Sequence, residues 1–406
     1  MKTINHYFTN KKILILILLF ALITRLFHLD FPNKYVFDEV YHAFTAKEYL
    51  AGHKEAWEWW TKPPPGVAYE WTHPPLAKEI MTASMFLVHS ANSWAWRLPG
   101  SLLGVLSVFL VYLLAVELLK NKPSALISAL IFSIDGLNFV QSRVGMNDIY
   151  YVTFLLLSLL LILRNKYFLS SLFFGLAISS KWAAIYFILL VFYIIFHQRQ
   201  FKKLIFFITI PPLIYILSYL PFFILGHSIS QFIQLQQQMW WYHTNLKAAH
   251  GYASAWWSWP LNLYPVWYFV DYGKNTVANI FASGNPAVFW VGTVTIILTA
   301  FEAIKKRSNE LSIIILGFLI FWLPWVLSPR IMFLYHFSPS VPFLALSLGY
   351  QLGQELFDKK GRQLVTILIS LMVLNFVLFY PILTGVYVPR NFIHLFFTIN
   401  LSKNPF

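Results

Sequence analysis

Residues 11–42 read KKILILILLFALITRLFHLDFPNKYVFDEVYH. Two lysines precede an apolar run, Ile13 to Phe27, and two adjacent carboxylates, Asp38 and Glu39, follow it. A run of ~15 residues approaches the length that crosses a hydrocarbon core of about 30 Å. No small-residue cleavage site follows, so the run is expected to be a retained first span. The carboxylates then stand just beyond a membrane surface, in a chain with only 16 acidic residues among 406.

The rest of the chain repeats the pattern. It is 58% hydrophobic, 19% aromatic and 11% charged, far from the soluble average of about a quarter charged. Lipid offers the backbone no hydrogen bonds, so the apolar stretches must be helices, and alternating barrel strands are not seen. Spans are expected near 13–27, 96–119, 123–139, 149–163, 167–178, 183–196, 204–225, 286–304, 311–327, 336–352 and 364–383. That makes an all-α polytopic membrane protein of about eleven transmembrane helices. Three regions follow: a catalytic module over 1–225 that includes a first outer loop at 28–95, an aromatic-rich second outer loop at 226–285, and a four-helix region with a short tail over 286–406. Short helices are expected inside both loops.

The net charge of +14 is scattered in small clusters between spans, which speaks against a nucleic-acid surface and for topology. Lys11 and Lys12, Lys120 and Lys122, Arg164 and Lys166, Arg199 to Lys203, Lys305 to Arg307, and Lys359 to Arg362 fall on one side if the spans alternate. The positive-inside rule makes that side cytoplasmic, N-terminus included. With no cysteine, there is no disulfide and no thiolate metal site.

Asp38, Glu39, His73, Lys78, Arg143, Asp148, Lys181, Trp259 and Arg330 then all come out on or near the outer face. Cations there run against the rule and call for an anionic partner. Snorkelling to the interface is the plainer explanation for any one of them. Within the first loop, Glu70-Trp71-Thr72-His73-Pro74-Pro75-Leu76-Ala77-Lys78 adds a rigid turn between a carboxylate and a lysine. The second loop interleaves Trp240, Trp241, Trp256, Trp257 and Trp259 with His243 and His250. Most of those rings fit an interfacial belt, though sugars also stack on such surfaces.

Taken in order, these tags resemble one family. They are Phe37-Asp38-Glu39-Val40, His73-Pro74-Pro75-Leu76-Ala77-Lys78, Trp96-Arg97-Leu98-Pro99, Asp135-Gly136 with Ser142-Arg143 and Asp148, Ser179-Ser180-Lys181-Trp182, Trp256-Trp257-Ser258-Trp259-Pro260-Leu261, Gly284-Asn285-Pro286, and Leu323-Pro324-Trp325 with Arg330 and Phe333-Leu334-Tyr335-His336. The chain resembles the dolichyl-phosphate-mannose protein mannosyltransferases and their bacterial relatives, glycosyltransferases of the C-type fold, without the soluble domain inserted in eukaryotic members. Where the family often has an aspartate two residues before His-Pro-Pro this chain has Trp71, with Glu70 beside it.

The resemblance implies inverting transfer of a sugar, mannose first, from a polyprenyl phosphate to a Ser or Thr hydroxyl of exported polypeptide, at the outer face of a prokaryotic plasma membrane. Such a reaction needs a base and a cationic cradle. Asp38 is expected as base, with Glu39 as neighbour or understudy. The plainer reading makes Asp38 the N-cap of a helix running to Leu50. Arg330, Arg143, Lys181 and His73 are expected at the donor phosphate, although Arg143 also suits an ion pair with Asp148. Asp148, Lys78, Glu70, His243, Trp259 and His336 are expected to support the site or the acceptor. Asp38, Glu39 and His73 could hold a divalent ion, but the spacing is not compact and no obligatory metal is expected. Two other readings share the outer face: transfer of a different sugar to a glycolipid or wall polymer, and a flippase for lipid-linked sugars, which would line a path at mid-membrane.

Overall fold

A computed structural model describes residues 2–397 and is mostly helical. Helix α1 (Lys2–Leu26) leads into the first loop, which carries α2 (His42–Ala51) and α3 (Leu76–Leu87). Next come α4 (Ser93–Leu119), α5 (Lys122–Ser133), α6 (Gly136–Arg143), α7 (Asp148–Leu163), α8 (Tyr167–Ser180), α9 (Phe187–Gln198), α10 (Leu204–Leu217) and α11 (Leu220–Ile224). The second loop holds α12 (Ile229–Asn245), β1 (Val266–Tyr272) and β2 (Thr276–Ala282). The chain continues through α13 (Pro286–Lys306), α14 (Asn309–Ile320), α15 (Val341–Glu355) and α16 (Lys359–Thr384).

Among the described residues, Ser93–Leu119, Pro286–Lys306, Asn309–Leu327 and Lys359–Thr384 are long and apolar enough to cross a membrane. Helices α5 and α6, bent by 58° at a short break, make a fifth crossing if they form one span. Sequence patterning alone runs this stretch straight through to Phe139. The break occurs because Asp135 caps a new helix, accepting a hydrogen bond from the Asn138 N–H at 2.8 Å. Asn285 starts α13 in the same way, capping Ala287 N at 3.1 Å ahead of Pro286 at the first helical position. Its amide nitrogen also reaches the Met372 carbonyl at 2.9 Å, tying α13 to α16.

Helices α4, α5, α7 and α15 form the centre. Small residues let α15 lie directly on α5. A Cβ on Gly349 would stand 1.9 Å from Ser128 Oγ, and one on Gly353 1.9 Å from Ser124 Oγ. Large apolar side chains such as Leu374 and Val377 of α16 face outward, as helices bathed in lipid require.

The second loop corrects the helix-only expectation. β1 and β2 pair antiparallel, with Val270 opposite Asn279 and a bulge between Trp267 and Phe269, and Val388 adds a short third strand along β2. This hairpin braces the first loop, since the Phe37 ring stacks on Tyr268 at 4.1 Å.

Candidate active site

Asp38 sits in the short turn of helix 37–40 and lines a recess of about 350 Å³. Glu70, His73, Asp148, Lys181, Arg330 and His336 line the same recess, together with Tyr242 and Tyr335. Six stretches therefore converge: the turn after α1, the turn before α3, the start of α7, the end of α8, the end of α12 and the segment before α15.

The two adjacent carboxylates have opposite surroundings. Glu39 is fully buried and saturated. Its Oε1 accepts from Trp96 Nε1 (3.0 Å), Arg97 Nε (2.8 Å) and Gly145 N (2.8 Å). Its Oε2 accepts from Arg97 Nη2 (2.7 Å) and Val36 N (2.9 Å). Glu39, expected beside Asp38 as its understudy, therefore turns away from the recess; it is the clasp that fixes the 37–40 turn to α4 and to the 144–147 turn. Asp38 is partly exposed to the recess, and among the described residues its carboxylate accepts no hydrogen bond. Burial and the Glu70 carboxylate raise it to about 7, against the opposing pull of Lys181 and Arg330. The capping reading of Asp38 also fails, because the helical turn at 37–40 starts at Val36 and α2 starts separately at His42.

The cations divide as well. Lys181 Nζ lies 2.9 and 3.0 Å from the two Asp148 oxygens in a buried pair. Arg143 is not the partner of Asp148 and does not line the recess. It donates to the carbonyls of Thr24 (3.0 Å), Arg25 (2.6 Å) and His28 (3.3 Å). Those carbonyls lie at and just beyond the C-terminal end of α1, where a cation satisfies both the hydrogen bonds and the helix dipole. Lys78 is buried on the His73 and Pro74 carbonyls (2.9 and 3.3 Å), so it shapes the His-Pro-Pro turn and does not anchor an interface.

Arg330 stays at the recess, its guanidinium 5.7 Å above the Tyr242 ring and in contact with His243 Nδ1. His243 Nε2 donates to the Thr72 carbonyl at 2.7 Å. That bond fixes the tautomer and leaves Nδ1 as the acceptor for Arg330. Burial and Arg330 lower His243 to about 4, so the ring is neutral at physiological pH. Glu70 Oε1 accepts from the Thr72 hydroxyl (2.5 Å) and His73 N (2.9 Å) and lies 3.0 Å from His73 Nδ1. Burial pushes Glu70 up, but His73, His42 and Lys78 outweigh it and hold the group well below the usual carboxylate range. Trp259 does not line the recess; it donates to Ser254 Oγ at 2.9 Å and stacks on His336 at 6.1 Å.

Sequence reasoning gave no role to His42, Tyr242, Tyr335 or Asn147, all of which line the recess. Each stands within one residue or a few of a marked one, and that adjacency was the available signal. The suggested metal trio does not assemble, because Glu39 turns to Arg97 while Asp38 and His73 face the recess. Among the described residues no group of three or more His, Asp or Glu is arranged to hold a metal ion.

The sequence model for dolichyl-phosphate-mannose-protein mannosyltransferase matches residues 15–242, more than half of the chain. The chain belongs to this family. A second model, for the C-terminal four-span region of protein O-mannosyltransferase, matches residues 228–395. The chain is 25% identical to the polyprenol-phosphate-mannose–protein mannosyltransferase of Mycolicibacterium smegmatis over 90% of its own length and 87% of the relative's. It is 23% identical to the Corynebacterium glutamicum protein of the same name, over 78% of each. The fold is shared with the S. cerevisiae protein O-mannosyltransferase Pmt1-Pmt2 complex bound to the sugar donor (TM-score 0.79, 16% identity, 93% of this chain and 90% of that one). It is shared more loosely with ArnT from Cupriavidus metallidurans bound to undecaprenyl phosphate (TM-score 0.64, 12% identity, 91% and 76%). These are C-type glycosyltransferase folds, and this family member is a multi-pass membrane glycosyltransferase.

Proposed function

We propose that the protein transfers mannose from a polyprenyl-phosphate donor to a Ser or Thr hydroxyl of exported polypeptide. Asp38 takes the hydroxyl proton as the oxygen attacks the anomeric carbon. The bond from that carbon to the phosphate oxygen breaks on the opposite face, and configuration inverts. Charge collects on the departing polyprenyl phosphate, where the Arg330 guanidinium and His73 line the recess and Lys181, neutralised by Asp148, holds the wall beside them. A base poised near neutral pH suits proton transfer, because its ionised form is available and still basic.

The observation that carries this reading is the meeting of a carboxylate without a fixed partner and a guanidinium in one recess, in a chain of this family. The curated relatives bear names that specify a polyprenol-phosphate-mannose donor and a protein acceptor. Within the same reading there are about eleven spans, with the basic connectors cytoplasmic, the recess on the outer face of a prokaryotic plasma membrane, and the 1–225, 226–285 and 286–406 regions as its parts. The test is purified protein in liposomes with radiolabelled polyprenyl-phosphate-mannose and a Ser/Thr-rich secreted peptide. Label in the peptide supports the proposal; label in glycolipid only, or donor merely moved between leaflets, overturns it.

A further inference from the structure

Asn147 ends the tight turn that Glu39 clasps through Gly145 N, so it is held on the same anchor as Asp38. It lines the recess, yet it is only 1% exposed. Among the described residues, neither its Oδ1 nor its Nδ2 has a hydrogen-bond partner. Its position before α7 would suit a helix cap, the commonest duty of such a residue. The side chain makes no capping bond, and its backbone is already helical. A buried carboxamide is costly unless something completes it, and neither packing nor capping does so here. The last torsion of an asparagine is broad, so the amide can turn to a molecule entering the recess.

We propose that Asn147 is a specificity-determining residue whose amide holds ring hydroxyls of the transferred sugar. A carboxamide presents an acceptor and a paired donor side by side, which matches a hydroxyl that must both give and receive a hydrogen bond, or two neighbouring hydroxyls. Asp148 and Lys181 flank it but spend their charges on each other, which leaves the amide to discriminate by hydrogen bonding. This inference rests on the recess being the donor-sugar site.

The experiment compares wild type with Asn147→Leu on polyprenyl-phosphate-mannose and on its 2-, 3-, 4- and 6-deoxy analogues. On the parent donor Asn147→Leu is expected to lose about 10- to 100-fold in kcat/KM. On the one or two analogues lacking the bonded hydroxyl, the two proteins should be nearly equal. The same loss on all five donors, or none on any, overturns the assignment. Asn147→Ala, which adds no bulk, repeats the comparison should the leucine fail to be accommodated, and is read by the same criterion. A wild type that is inactive on every donor would instead sink the transferase reading itself.

Discussion

Asp38 and Glu39 are neighbours in sequence and should give opposite phenotypes. A Glu39→Gln side chain can keep one oxygen for Trp96, Arg97 Nε and Gly145. Its NH2 then faces Arg97 Nη2 and Val36 N, two donors against a donor. Each buried donor left unsatisfied costs about 1–3 kcal/mol. Together they give about 3–5 kcal/mol, the range for breaking a buried ion pair by removing one partner. Arg97 keeps its bonds to the carbonyls of Leu29, Phe31, Pro32 and Lys34, which places the loss toward the lower end. Asp38→Asn removes no hydrogen bond seen in the structure and discharges a carboxylate that burial disfavours, so it should leave stability unchanged or slightly raised. Its turnover should fall about 10²- to 10⁴-fold. Thermal unfolding in detergent, run beside the peptide mannosylation assay, measures both. An Asp38→Asn protein that melts early, or a Glu39→Gln protein as stable as wild type, would refute the division of labour between clasp and base.

Three further outcomes follow from the same geometry. Because Asp38 acts when ionised and is raised to about 7, kcat/KM should climb as pH rises through about 7. Glu70→Gln removes a negative neighbour, so that acidic limb should move to lower pH; a pH profile that does not move would show that Asp38 is not the group being titrated. Arg330→Ala and His243→Ala should each raise the donor KM or slow turnover. The double variant should be little worse than Arg330→Ala alone, since His243 acts on the donor through Arg330; full additivity in a double-mutant cycle would contradict this. Lys181→Met strands the Asp148 charge and should destabilise by about 3–5 kcal/mol, whereas Lys181→Met with Asp148→Asn should recover stability but not activity, as unfolding and transfer assays would show.

The helical, membrane-crossing character was legible in the apolar run lengths. The basic clusters at Lys120 and Lys122, Arg164 and Lys166, and Lys305 to Arg307 fall at helix ends or in the short connectors between them. Side-chain direction was harder to read. Nothing in the run Phe37-Asp38-Glu39-Val40 says which carboxylate turns inward, because the choice is made by Arg97 and Trp96 nearly sixty residues away. The place of Arg143 is illegible for the same reason: its partners include main-chain carbonyls of α1, which no residue identity records. The β1–β2 hairpin was hidden because Val266 to Tyr272 lacks a clean alternation of apolar and polar residues and lies in a loop expected to hold only short helices. The pairing of His243 with Arg330 joins two segments 87 residues apart, whose proximity depends on helix packing.

The most direct measurement is an electron cryomicroscopy map of the Asp38→Asn protein with polyprenyl-phosphate-mannose bound. The account predicts the donor phosphate against Arg330 and His73, and the anomeric carbon turned toward residue 38 with room for a hydroxyl between them. A phosphate bound elsewhere, or a sugar whose anomeric carbon faces away from residue 38, would contradict it.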